Sequence, residues 1–214
     1  MEAYSKAASK AVSNPATRRR TREEVQAAVR GALVELVLER PFKDVTVDEL
    51  ARRGGLSRTA FYFYYPDKDE VLKEAANDVA AEVYAEADRW WHGEGPPEQL
   101  VREAIEGIMA VYSDHAGVLR AAVEATTYDP AFRAFYQALI QRFVDATAEH
   151  LRGELASGRL RPLEPEAAAE ALVWMTERCA YAFYLVEGRP VGEVISSLTG
   201  IWVHALYPDS APHA

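Results

Sequence analysis

The sequence predicts an all-α fold: three short helices at the N-terminal end, then a larger helical body, about nine helices in all. Three observations predict it. Apolar residues recur at helical spacing along nearly the whole chain, and runs of alternating Val, Ile and Thr bounded by hairpin turns are absent. Gly, Pro and Asp punctuate the chain at helix-length intervals. At 214 residues, with 49% hydrophobic and 27% charged residues, the chain has the size and composition to bury a core.

The elements follow in order. Residues 1–20 are poor in large apolar groups and end in Arg18, Arg19 and Arg20, which reads as a flexible basic arm. A first helix spans 21–39, with Val25, Val29, Leu33, Leu36 and Val37 on one face and Pro41 beyond its end. Thr46 and Glu49 form a capping box for a short second helix, which Gly54 and Gly55 stop. Ser57 caps a third short helix that ends before Pro66. Asp67 caps a long fourth helix running to Trp91. After the break HGEGPPE, further helices span 97–113, 115–125, 129–157, 164–187 and 190–206.

The charge is unevenly distributed. The net charge is −9, yet residues 1–66 carry a surplus of four positive charges and residues 67–214 an excess of thirteen negative ones. A basic end on an acidic body directs any nucleic-acid contact to the first third. Cys179 is the only cysteine, so an internal disulfide or Cys-based metal site is excluded, in keeping with a reducing compartment. No apolar run reaches membrane-span length, and the N-terminus lacks a secretory apolar stretch. The expected location is cytoplasmic, with no membrane partner.

The stretch VTVDELARRGGLSRTAFYFYYPDKDEVL, residues 45–72, places two short helices around a Gly-containing turn, which is helix-turn-helix geometry. Leu50, Ala51, Leu56, Ala60 and Phe61 are spaced to pack the pair together. Ser57, Arg58, Thr59, Tyr62 and Tyr64 are left for the outer face, where short polar and aromatic side chains can reach base edges and phosphates. Within the aromatic run, Phe61, Phe63 and Tyr65 are expected to be buried and Tyr62 and Tyr64 outward. Lys68 and Thr46, each at a helix N-terminus, are candidate phosphate contacts, and the arginines before the first helix a candidate minor-groove arm. Singly these features are commonplace; together they are specific.

The same stretch resembles the DNA-binding signature of the TetR (tetracycline-repressor-like) family, at Thr46, Val47, Leu50, Ala51, Gly55, Leu56, Ser57, Tyr62, Tyr65, Pro66 and Lys68. SRTAFYFYYPDKDEVL, MTERCAYAF and GIWVHALY are similar to the branch that contains the repressor of the ethionamide-activating monooxygenase. The resemblance implies an N-terminal helix-turn-helix DNA-binding domain over 21–66. It also implies a helical effector-binding and dimerisation domain over 67–214, with the last two helices forming a homodimer bundle. The predicted partners are double-stranded operator DNA and a small apolar or amphipathic effector; no cofactor, metal or catalytic residue is assigned.

Helical stripes in the body carry embedded polar groups, and such stripes are more often plain core than pocket. Tyr112 on the fifth helix's apolar face and Trp174 on the eighth's are candidate effector-binding residues, while Thr147, Thr176 and Glu177 sit among apolar neighbours where a carboxylate needs a partner. By the resemblance, Ile108, Phe143, Thr147, Thr176, Glu177 and Trp202 map onto effector-lining positions. Ala168, Leu172, Met175, Cys179, Ile195, Leu198, Trp202 and Leu206 are candidates for interface or supporting core. An enzyme is the rival class: His92, His115, His150, His204 and His213 are scattered, and no metal-binding His pair or phosphate loop is present. A DNA-binding dimer without a ligand is the third reading.

Overall fold

The structure is a computed structural model and describes residues 20–208. Those residues form nine α-helices, one 3₁₀ turn, one π-helical segment and no strand. The order is α1 (Arg22–Glu39), the 3₁₀ turn (Phe42–Asp44), α2 (Val47–Arg53), α3 (Arg58–Tyr64), α4 (Lys68–His92), α5 (Pro97–Asp114), α6 (Ala116–Tyr128), α7 (Pro130–Ala156), α8 (Pro165–Cys179), the π segment (Ala180–Val186) and α9 (Val191–Leu206). Arg18 and Arg19 of the expected basic arm lie outside the described residues.

Local chemistry sets the helix starts. Thr21 and Thr46 each close a full capping box, with Glu24 and Glu49 returning the hydrogen bond. Ser57, Asp67 and Asp129 accept from the first turns of α3, α4 and α7. Proline occupies the first position of α5, α7 and α8, where its missing N–H costs nothing. The end of α2 is a Schellman turn: Leu56 N–H donates to Ala51 at 2.8 Å and Gly55 N–H to Arg52 at 3.2 Å. Gly55 has φ +74°, a left-handed conformation, and a Cβ on Gly54 would stand 2.9 Å from Val29 Cγ2. Each of the paired glycines therefore has its own reason.

The small N-terminal unit packs Val29, Leu33 and Leu36 of α1 against Phe42, Leu50 and Phe61 in one core. Tyr65, Arg30 and Glu74 lock this unit to α4: the Tyr65 hydroxyl donates to Glu74 at 2.6 Å and Arg30 to the same oxygen at 2.9 Å. Burial and the Glu74 charge raise the Tyr65 phenol's pKa.

In the body, α4 and α5 form an antiparallel pair, and α6 to α9 enclose a second apolar region continuous with the first. The eighth helix, read from sequence as α-helical to residue 187, changes at Ala180 to a π segment. Arg120 of α6 donates to the Leu185 carbonyl in that segment. No described helix is long and apolar enough to cross a membrane.

The aromatic run departs from expectation. Phe61 and Tyr65 are buried, but Phe63 is 74% exposed. The expectation followed an alternating pattern; a helix turns 100° per residue, so Phe63 lies about 200° round from Phe61 while Tyr65 returns to its face. Tyr64, expected outward, is half-buried against the core beneath Arg22, whose guanidinium sits 5.7 Å from the ring centroid. Phe61→Ala should therefore cost about 3–5 kcal/mol, whereas Phe63→Ala should change stability by less than about 0.5 kcal/mol. Urea denaturation of the two variants checks the contrast, and equal losses would contradict the helical register.

Candidate functional site

Two sites emerge, a polar-aromatic face on α3 and a cavity in the body. On α3, Thr59, Tyr62 and Phe63 project outward at i, i+3 and i+4, with Ser57 and Arg58 at the helix start. Ser57 Oγ accepts from Ala60 N–H at 3.1 Å, leaving its own proton to point outward. Arg58 is held in place: Nη1 meets Asp48 at 2.6 Å, Nη2 donates to the Tyr62 hydroxyl at 3.3 Å, and the guanidinium stands 5.8 Å from the Tyr62 ring. Phe63 was missed in the sequence because an aromatic residue in such a run reads as core. Counting helical angle from Phe61 finds it.

Two residues expected to hold phosphate have other partners. Lys68 Nζ donates to the carbonyls of Phe42, Lys43 and Val45 at 2.9, 3.1 and 2.8 Å, which uses all three ammonium protons. Burial pushes its pKa down, against the opposing pull of Asp69, Glu124 and Asp44. Thr46 turns its N–H and its hydroxyl proton onto Glu49 Oε2, at 3.1 and 2.8 Å. In this conformation both side chains hold the scaffold of the reading face. Arg20, the last arginine of the arm, donates to the Gly54 carbonyl at 3.0 Å and so caps α2.

The cavity lies between α4, α5, α6, α7, α8 and α9 and has about 940 Å³ of empty space, counting its open mouth. Along α4 its wall runs from Ala76 to Trp90, roughly 21 Å at 1.5 Å per residue. Of the predicted lining residues, Ile108, Tyr112, Phe143, Thr176, Glu177 and Trp202 are brought together. Two are not. Trp174 is turned about 60° beyond Glu177 round α8 and packs outside the cavity. Thr147 shares the face of Phe143 but lies one turn further on, buried away from the cavity.

The sequence reading also missed the α4 wall. Ala76, Ala80 and Ala87 look like ordinary helix filler, yet short side chains beside Val79 and Val83 are what leave room. Their recurrence on one face was the available signal. The wall is apolar except at a few groups. Thr176 donates to the Leu172 carbonyl at 2.9 Å and accepts from Trp202 Nε1 at 2.8 Å. Glu177 is only 5% exposed, and its Oε1 accepts from the Tyr136 hydroxyl at 2.7 Å.

Glu177 Oε2 is buried without a hydrogen bond, although Arg178 Nη2 reaches to 3.1 Å of it. The distance is that of an ion pair but the direction is not that of a hydrogen bond, so half-exposed Arg178 offsets charge and leaves an acceptor open. Burial raises the Glu177 pKa against the lowering pull of Tyr136 and Arg178. Burial together with nearby charge raises the phenols of Tyr112 and Tyr136. Among the described residues no cluster of His, Cys, Asp and Glu is placed to hold a metal ion.

A helix-turn-helix presented on an all-helical body with a cavity is the plan of a bacterial transcription regulator. The model of the bacterial regulatory proteins' tetR family matches residues 31–75, and that of the C-terminal domain of transcriptional regulator EthR matches residues 101–208. The HTH-type transcriptional regulator EthR of Mycobacterium tuberculosis is 30% identical over 198 residues, covering 86% of this chain and 88% of its own. The chain belongs to the TetR family, with a body of the EthR type. Among solved structures, SmeT, the repressor of the Stenotrophomonas maltophilia efflux pump SmeDEF, matches with TM-score 0.68 at 18% identity over 90% of this chain and 93% of its own. A regulator of Saccharomonospora viridis in complex with choline matches with TM-score 0.70 at 16% identity over 87% and 99%.

The raised Glu177 pKa has a consequence for stability. The fold favours the neutral carboxyl, so Glu177's contribution is fully present below about pH 4.5, the ordinary value, and is lost as pH rises through the higher folded value. Glu177→Gln keeps an acceptor for Tyr136 and removes the charge. Its Tm should equal the parent's at low pH and exceed it at neutral pH; thermal melts of both across pH 4–8 check this.

Proposed function

We propose that this chain is a ligand-released repressor acting in the cytoplasm: a homodimer that grips a palindromic operator and lets go when a small apolar or amphipathic molecule fills the cavity. Residues 21–66 are the DNA-binding domain and residues 67–214 the effector-binding and dimerisation domain. The reading face is Ser57, Arg58, Thr59, Tyr62 and Phe63, with Tyr64 at its edge beneath Arg22. The exposed Phe63 ring suits a thymine methyl in the major groove, and the hydroxyls suit base edges or phosphates. The backbone N–H groups that open α4 remain the phosphate contact there, while the Lys68 side chain positions them.

The dimer seam lies on α8 and α9. Leu172, Leu198, Trp202 and Leu206 are buried within one chain, which leaves Ala168, Met175, Cys179 and Ile195 partly open beside exposed Ile201. Two copies joined there would present α3 helices to successive major grooves, about 34–36 Å apart. This chain's own apolar cavity, a structural neighbour solved in complex with choline and another named as a repressor support the ligand and repressor parts of the reading.

One observation carries the coupling. Helix α6 puts Leu119 and Ala122 on the cavity wall and Glu124 on its opposite side. Glu124 accepts from Phe42 N–H at 3.0 Å and from Lys43 N–H at 3.2 Å. Those residues form the 3₁₀ turn that leads into α2, and the same turn's carbonyls are held by Lys68 at the start of α4. A ligand that displaces α4 or α6 therefore pulls on the turn that aims the helix-turn-helix. Gly117 lets the start of α6 approach α1 closely, since a Cβ there would stand 3.0 Å from Leu38.

Two measurements test this reading, both on an operator selected by the protein from randomised duplexes. Thr59→Ala, Tyr62→Ala and Phe63→Ala should each weaken binding by about 1–3 kcal/mol with no change in Tm; unchanged affinity in all three would remove the reading face. An effector should reduce operator affinity in the parent by roughly 5- to 150-fold. Glu124→Ala should bind the same effector yet show little of that reduction, by fluorescence anisotropy. Full release in the variant would place the coupling elsewhere.

A further inference from the structure

We propose that the cavity selects an elongated apolar molecule bearing a protonated amine, and that Glu177 is the counter-ion for that amine. This rests on the reading of the cavity as an effector site. The observations are the chemistry of the wall and the state of each polar atom on it. Thr176 is satisfied on both sides, its proton given to Leu172 and its oxygen taken by Trp202. Tyr136 has given its proton to Glu177 Oε1. Glu177 Oε2, on a side chain 4% exposed, has no well-directed hydrogen bond, only the 3.1 Å ion pair with half-exposed Arg178. A buried carboxylate with an empty lone pair attracts a donor, and a charged donor most strongly.

The surroundings favour a cation over a neutral donor. Arg178 is the one cation set against Glu177, and it is half-exposed, so solvent screens much of its charge. Tyr112 and Tyr136 flank the carboxylate, and an ammonium with three protons can use their oxygens and ring faces as well. The remaining wall, Ala80 and Val83 on α4 with Ile108 and Phe143 opposite, takes hydrocarbon only. The excess of thirteen negative charges over residues 67–214 draws cations towards the body. A carboxylic acid of the same shape would set its own charge against Glu177, so the site discriminates against fatty acids by repulsion.

The antiparallel α4–α5 pair also places the head group. A Cβ on Gly107 would run into Glu86, and one on Gly93 into Leu100, so residues of the two helices face each other at those levels. By that register Tyr112 stands near Ala80, in the half of the cavity closer to the DNA-reading unit. The amine is therefore read where α4 and α6 line the wall, and the hydrocarbon extends towards Trp90 and Trp202.

The test is calorimetric titration of the full-length protein at pH 7.5 with dodecylamine, 1-dodecanol and dodecanoate, each below its micelle concentration. Melting curves with each ligand separate a bound ligand, which raises Tm, from a detergent, which lowers it. Dodecylamine is expected to bind about ten- to a hundredfold more tightly than dodecanol, the range of a charge-assisted hydrogen bond, and dodecanoate more weakly than either. Dodecanol should compete with dodecylamine, which places both in one cavity without any variant. Glu177→Gln should bring the amine down to the level of the alcohol. Equal binding of amine and alcohol, or an amine preference that survives Glu177→Gln, overturns the assignment while leaving the cavity an effector site. Failure of all three to bind overturns the effector reading itself.

Discussion

One ammonium group ties the turn before α2 to the start of α4. Lys68 Nζ lies where three carbonyls of one tight turn converge, those of Phe42, Lys43 and Val45. A lysine suits the place because its three protons can spread over three acceptors, where the flat guanidinium of an arginine could not. The group sits over the Phe42 ring, 4.5 Å from its centroid. Partial burial makes the charge costly, and the cost is met by the carbonyls and by Asp69, Glu124 and Asp44 nearby. Because Lys68 is the first residue of α4, the turn that leads into α2 is tied to the helix that walls the cavity. The outer face of α3 and the cavity are thus referred to one point.

The second constraint is that the body is hollow. Alanines on α4 and the short reach of Ala104 and Ala122 leave a void that fuller side chains would close. An empty space of this kind gives up packing energy, and it persists because the helices round it are fixed elsewhere. Trp90 illustrates how: its ring stacks near His150 and Trp202, and its N–H donates to the Tyr207 hydroxyl at 3.0 Å. The far end of the cavity is therefore rigid and aromatic. The near end holds Glu177, whose carboxyl pKa burial pushes up.

Much of this was legible in the sequence, for physical reasons that differ by element. Helix starts at Thr21, Thr46, Ser57, Asp67 and Asp129 depend on hydrogen bonds two or three residues long, so local reading found them. The Gly54–Gly55 turn was legible for the same reason. What failed needed three dimensions. Phe63 was placed inside by an alternating rule that belongs to strands, and the helical angle puts it outside. Lys68 resembled a phosphate ligand, and only the fold brings the Phe42 turn to it across more than twenty residues. Thr147 lies on the correct face but beyond the end of a cavity whose length no periodicity encodes. Trp174 lies just off the face of α8 that a void happens to meet. The α4 alanines recur on one face, but that an absence of bulk there opens a void shows only when the other walls are known.

Helix α6 links the cavity wall to the turn before α2 without any long-range strain. It is short, and each of its sides has a different task. Leu119 and Ala122 meet the ligand space, Glu124 grips the turn before α2, and Arg120 holds the Leu185 carbonyl in the π segment that leads towards α9. A helix is stiff over such a length, so a shift imposed on one side is delivered to the others as a rotation or translation of the whole. The bonds at Glu124 are discrete and directional, and small displacements break them; a greasy contact would slide. Linkage requires that a ligand weakening operator binding through this helix be weakened equally by the operator. On the proposed reading, the cavity of the DNA-bound form is the poorer fit for the ligand, and the difference arises where α4 and α6 line it.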